Sequence, residues 1–176
     1  TLLGHLGSNA IVFNYPGVGA NKGFPSRRAL SKAHRAVLNF LEDRKNGVGA
    51  KEIIGFGHSI GGGVQGDALE EHELKNGVKY VFVKSRTFRN LKDAASDVLH
   101  AICGFFVDVF GWNIDTSRPT KKLKAPEIIL QTANVTSYEL LTDSSKIIDD
   151  DIIGAKVSLA KDLLDSGYGT DKGKYV

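Results

Sequence analysis

The chain has 176 residues, enough for one domain with its own apolar core. Its 23 basic and 20 acidic residues leave a formal charge of +3, too balanced to point to a nucleic-acid partner. Cys103 is the single cysteine, so an intrachain disulfide is excluded and no cysteine-based metal site is suggested. It lies in the apolar run Ala101 to Val107 and reads as a core residue, which fits a cytoplasmic protein without requiring one. Thr1 opens the chain and no methionine occurs, so the expectation is a fragment or a processed piece of a longer protein.

Asn9 to Tyr15 carries the continuous run Ile11-Val12-Phe13 and is expected as a buried strand, ended by Pro16-Gly17. Ser26 is a candidate N-cap. From there to Asn46, Leu30, Ala33, Val37, Leu38 and Leu41 recur at helical spacing, and Gly47 closes the helix. Glu52 to Gly57 is expected as a strand, Ile60 to about Leu74 as a helix stopped by Asn76-Gly77, and Lys79 to Lys84 as a strand. Helical pattern continues from Leu91 to Phe110. Glu127 to Gln131 reads as a further strand, Thr132 to Asp151 as a polar loop, and Ile153 to Leu164 as the last helix. Gly167 to Val176 has the composition of a tail. Strands that alternate with helices give an α/β domain with a parallel sheet flanked by helices, and continuous apolar strands suggest cover on both faces.

Leu99 to Trp112 is the longest apolar stretch, but His100 and Asp108 interrupt it. It falls short of the roughly 18 apolar residues a spanning helix needs, so no transmembrane segment is expected. Phe105 to Trp112 is instead a candidate for part of a lid or acyl pocket, or simply for core. Lys121-Lys122-Leu123-Lys124, the densest basic cluster, reads as a solvated loop.

The most informative stretch is Gly57-His58-Ser59-Ile60-Gly61, a G-x-S-x-G sequence between an apolar strand and a helix. That is the sequence form of a nucleophile elbow, in which a sharp turn presents a serine hydroxyl at the top of a sheet. Glycines two before and two after the serine are expected because a Cβ at either would crowd the turn. A serine is a weak nucleophile until an imidazole takes its proton and a carboxylate orients that imidazole. An oxyanion also needs donors. Here the backbone N–H of Ile60, at a helix N-terminus, is the one expected.

Asn14-Tyr15-Pro16-Gly17-Val18-Gly19, Lys22-Gly23 and Gly57-His58-Ser59-Ile60-Gly61-Gly62 together resemble the α/β-hydrolase superfamily over roughly residues 8 to 165. The chain is most similar to a poorly characterised bacterial branch that includes chlamydial proteins of the CHLPS type. The resemblance implies a single, partial α/β-hydrolase domain over residues 1–176. It implies hydrolysis of a small-molecule or acyl substrate (an ester, thioester or amide) through an acyl-Ser59 intermediate, with no cofactor.

The resemblance also implies a triad in chain order Ser, acid, His. Ser59 matches the nucleophile. The acid belongs after the strand Glu127–Gln131, where Asp143, Asp149, Asp150 and Asp151 lie. The family's local form is Asp, any residue, two aliphatics, then Pro. Asp150-Asp151-Ile152-Ile153-Gly154 fits it with Gly for Pro, which favours Asp150, then Asp149 or Asp151, then Asp143. The run also reads as a solvated, helix-starting feature.

The base departs from the pattern. It should follow the acid, yet no histidine occurs after His100. His58 adjoins Ser59, but neighbouring side chains on such a turn diverge. The family's second oxyanion donor comes from an earlier strand, which sits between the strands matching Asn9–Tyr15 and Glu52–Gly57. The expectation is a chain that carries the elbow and acid but lacks both ends of the machinery and is inactive alone.

Two other functions compete. One is a non-catalytic binding protein on the hydrolase fold. The other is an NADP-binding domain, in which Gly55, Gly57 and Gly61 form a phosphate turn and Lys84, Ser85 and Arg86 meet a 2′-phosphate. No Gly-Lys-Ser/Thr occurs, so a P-loop is excluded, and no histidine pair has zinc-ligand spacing.

Overall fold

The computed structural model describes residues 7–99, 111–136 and 140–168. Three parallel strands form its sheet in the order β1-β2-β3: β1 (Glu52–His58), β2 (Lys79–Ser85) and β3 (Glu127–Leu130). The register pairs Ile54 with Val81, Phe56 with Val83, and Val83 with Ile128. Because the strands are parallel, the ends of β1, β2 and β3 that carry Ser59, Arg86 and Thr132 open on one edge of the sheet.

Helix α1 (Arg27–Glu42) starts where Ser26 Oγ accepts the N–H of Ala29 at 3.2 Å. Leu30, His34 and Leu38 turn inward from it. The helix stops at Glu42 rather than Asn46. Asp43 leaves the helical conformation, and its carboxylate accepts the N–H groups of Lys45 and Asn46 at 2.7 and 3.0 Å, replacing helix with a side-chain-braced turn. Helix α2 (Ile60–Glu71) runs from the end of β1 through the core and is buried continuously from Gly62 to Leu69. A bidentate pair of Arg27 on Asp67, at 2.5 and 2.7 Å, locks the start of α1 onto α2.

After β2 the chain runs into α3 (Leu91–Leu99); the remainder of the helical stretch expected to Phe110, with Cys103 and most of the lid candidate, lies outside the described residues. Helix α4 (Ser117–Lys122) was not expected. It absorbs half of the basic cluster: Lys122 reaches Glu70 at 3.2 Å and Lys121 reaches Asp162 at 3.1 Å, so these lysines brace helices rather than a loose loop. The last helix, α5 (Leu159–Asp165), begins later than Ile153 because Ser158 caps it, accepting the N–H of Lys161 at 3.2 Å. Ile153 and Val157 pack in a loop with a single 3-10 turn, Ala155–Val157.

Two expectations change. Asn9–Tyr15 is not a strand: it is extended chain with Val12 92% exposed. A strand exists only through a ladder, and the sheet offers this segment none, since β1 pairs with β2 alone among the described residues. Nor do the described residues cover the sheet on both faces there. Ile53, Tyr80, Phe82 and Ile129 are buried against the helices, while Ile54, Phe56, Ile128 and Leu130 on the opposite face are exposed.

Candidate functional site

The peptide at Ser59 turns sharply between β1 and α2, with φ 52° and ψ −121°. A non-glycine residue held there carries strain on the order of 1–3 kcal/mol, so its surroundings must fix it. Three hydrogen bonds do so. Ser59 N–H donates to Ser85 O at 3.0 Å, while Ser59 O accepts from Gly62 N–H at 3.0 Å and from Thr87 Oγ at 2.7 Å. The neighbouring strand thus grips both sides of the turn.

Space explains one of the two expected glycines. A Cβ on Gly57 would come within 2.7 Å of Gly61 O and of the Gly62 backbone. A Cβ on Gly61 would meet nothing within 4 Å. Close packing falls instead on Gly62 and Gly63, whose added carbons would press Thr87 at 3.0 Å and Phe88 at 2.9 Å. These small residues let α2 approach the chain that leaves β2.

Ser59 is half-buried, and Ile60 is exposed at the first position of α2. The first N–H groups of a helix have no acceptor one turn back, so the N–H of Ile60 stands at the positive end of the helix. His58 turns away from Ser59: its Nδ1 lies 3.4 Å from Ser85 Oγ on the exposed sheet face.

The acidic loop lies beyond β3. Asp150 is held on three sides: Oδ1 accepts the N–H groups of Ile152 and Ile153 at 2.8 and 2.9 Å, and Oδ2 accepts Thr132 Oγ at 2.6 Å. Burial pushes its carboxyl up, but the bonds from Thr132, Ile153 and Ile152, with the charge of Arg86, outweigh this and hold it below the usual carboxylate range. The other candidates have different work. Asp149 accepts the N–H of Ala155 at 2.7 Å. Asp151 is exposed and meets the Arg86 guanidinium at 3.0 Å. Asp143 caps a remote 3-10 turn through the N–H of Ser145 at 2.9 Å.

Arg86 joins the two halves of this edge, a role the sequence does not mark: the NADP reading expects a 2′-phosphate contact from it. Its N–H donates to Leu130 O at 2.8 Å, its guanidinium meets Asp151, and its φ is 46°. Thr87 and Thr132, which hold the backbone of Ser59 and the carboxylate of Asp150, also escape a reading by motif. The end-to-end register of β1, β2 and β3 is what finds them.

No described imidazole contacts Ser59 or Asp150. His34 faces Tyr15, and His72 binds Glu42 at 2.8 Å, beside the Tyr80 hydroxyl near the opposite end of the sheet. The NADP reading is overturned at its phosphate-binding lysine. Lys84 is fully buried, 2.5 Å from Glu127 and 2.6 Å from Thr120, on the helix-covered face. Gly55 is small because Phe82 and Gln65 lie against it, not because a pyrophosphate must approach.

A family description, Chlamydia CHLPS protein (DUF818), matches residues 2–173. The chain belongs to this CHLPS family. No curated protein matches it. Among solved structures, this CHLPS chain is similar to an alpha-beta hydrolase from Vibrio vulnificus, with a TM-score of 0.53 and 20% identity. The match covers 66% of this chain and 43% of that one, so the chain spans less than half the length of its structural relative. At that identity the likeness concerns the fold alone. It bears out the α/β-hydrolase architecture and the parallel sheet of the CHLPS chain.

Proposed function

We propose that the site belongs to a serine hydrolase of the α/β-hydrolase type, with Ser59 as nucleophile. The observation that carries this is the strained turn: a serine held at φ 52° at the end of β1, ahead of a helix N-terminus, by hydrogen bonds with Ser85, Gly62 and Thr87. In this reading Ser59 Oγ attacks the carbonyl carbon of an ester, thioester or amide. The Ile60 N–H, backed by the dipole of α2, receives the oxyanion that forms. Asp150, kept ionised by its hydrogen bonds, orients an imidazole that takes the Ser59 proton and returns it to the leaving group.

The spacing supports that division of labour. β3 lies two strand spacings from β1, about 10 Å, which leaves room for one imidazole between the two ends. Among the described residues no histidine occupies the place.

A second reading, a binding protein on the hydrolase fold, is favoured by the lack of an imidazole contact at Ser59 Oγ among the described residues. A fluorophosphonate probe separates the two. It should label Ser59 in a version of the protein extended by its flanking sequence, lose the label with Ser59→Ala, and leave the present chain unlabelled. A folded, extended protein that resists the probe would sink the hydrolase reading and leave the binding protein.

A further inference from the structure

We propose, resting on the reading of Asp150 as the acid of the site, that Arg86 is its positioning residue: the guanidinium, through Asp151, holds the acidic loop level with the turn at Ser59. Three observations carry it.

The first is where the backbone pins the loop. Arg86 N–H donates to Leu130 O at 2.8 Å, at the end of β3 where the loop departs. Arg89 N–H donates to Val157 O at 2.8 Å, and Thr87 O accepts the N–H of Leu159 at 2.9 Å, where the chain has returned. Both roots of the loop are therefore fixed to the short segment 86–89. The same stretch grips the serine turn, since Ser85 O accepts the N–H of Ser59 and Thr87 Oγ donates to Ser59 O. Between the roots, Ile153 anchors the loop in the core, and Thr132, at the loop's own start, bonds Asp150. Arg86 is the side chain that meets this loop from β2, the strand between Ser59 and β3.

The second is the direction of that side chain. Side chains alternate along a strand, and Lys84, two residues earlier, is fully buried on the helix-covered face. A strand continued regularly would send Arg86 the same way. The backbone breaks at φ 46° instead, and the guanidinium meets the Asp151 carboxylate at 3.0 Å. Glycine takes that conformation without steric cost, whereas an arginine there stores strain. The strained turn is what brings the guanidinium to the loop.

The third is exposure. Side chains of Arg86 and Asp151 are 38% and 81% exposed, and an ion pair so open to water adds little to global stability. Its consequence is local. Asp151 carries the tie, while its neighbour Asp150 keeps its bonds to Thr132, Ile152 and Ile153.

Amide hydrogen exchange on the whole chain reads the loop, because the N–H groups of Ile152 and Ile153 donate to Asp150. Arg86→Gly removes the guanidinium and releases the strain. Its urea midpoint should hold or rise, while the Ile152 and Ile153 amides exchange faster by up to about fivefold, the reach of an exposed ion pair. Asp151→Asn should speed the same amides. The double variant should go no further than the faster single one, since both sever one tie. Unchanged exchange in either single variant, or a double variant that multiplies the two effects, would overturn the proposal. So would a fall in the urea midpoint of Arg86→Gly that matches the gain in exchange, because Arg86 would then serve the fold as a whole.

In a version of the protein extended by its flanking sequence, both single variants should lower kcat for p-nitrophenyl acetate and leave KM unchanged. An unaltered kcat in variants whose loop amides exchange faster would also overturn the proposal. An extended protein that takes no fluorophosphonate at Ser59 would strike the hydrolase reading instead, and the exchange rates of this chain would still decide whether Arg86 holds the loop.

Discussion

Ser59 and Arg86 stand at the ends of adjacent strands, and they are the two non-glycine residues with positive φ among those described, at 52° and 46°. The strand rung just before them, His58 with Ser85, is regular. The chain therefore breaks from strand geometry at the same level on both strands, and there Thr87 Oγ reaches back to Ser59 O. Left-handed backbone costs an L-residue about 1–2 kcal/mol, and glycine escapes that cost. Ser59→Gly should therefore be more stable than Ser59→Ala by about 1–2 kcal/mol, read from urea unfolding midpoints. Equal midpoints would mean that the turn stores no strain.

The two glycines of the G-x-S-x-G sequence should behave differently. Gly57→Ala drives a methyl into Gly61 O and the Gly62 backbone at 2.7 Å, and backbone cannot step aside as a side chain can. It should cost about 3 kcal/mol, the upper part of the overpacking range. Gly61→Ala meets open space inside a helix, where alanine is favoured over glycine. It should be neutral or stabilising by up to about 1 kcal/mol. Thermal melts of the two variants check the contrast.

Much of this fold is written locally. Ser26 caps α1, and the apolar repeats of α1 and the runs of β1, β2 and β3 predict elements that are present. The strand that does not form and the helix that was not expected share a cause, which is that the deciding partner is distant in sequence. Ile11-Val12-Phe13 has strand composition, but no neighbour makes a ladder with it. α4 is short, carries Pro119 in its first turns, and is placed by Glu70 and Asp162 rather than by any repeat of its own. At the candidate site, Ser59 stands out because its turn needs a motif of adjacent residues. Arg86 does not, because a positive φ at a strand end leaves no mark in composition. Among the aspartates, Thr132 distinguishes Asp150, and that bond exists only once β3 is in place.

Acid should destabilise the chain before its carboxylates titrate. Burial, with the nearby charge of His72, lowers the His34 pKa from 6.5 to about 4. The unfolded chain therefore binds a proton at His34 as pH falls through about 6.5, whereas the folded chain resists until about 4. The stability held above pH 6.5 should be lost across that window, by up to about 3 kcal/mol at 1.36 kcal/mol per unit. His34→Gln should flatten the slope between pH 6.5 and 4. An unchanged slope would assign it to other groups.

The buried Lys84–Glu127 pair offers the sharpest energetic test. Both side chains have no exposed surface; Lys84 Nζ lies 2.5 Å from Glu127 and donates to Thr120 Oγ at 2.6 Å. The pair ties β2 to β3 from the helix side. Removing one member strands a charge in a low-dielectric interior, which costs about 3–5 kcal/mol. Lys84→Met and Glu127→Leu should each approach that loss. The double variant replaces both charges with apolar groups and leaves neither stranded, so it should recover most of the stability despite carrying two substitutions. Denaturant titration of all four proteins closes the cycle. If the double variant instead falls by the sum of the singles, the two side chains are not coupled, and the pair contributes no more than its separate packing.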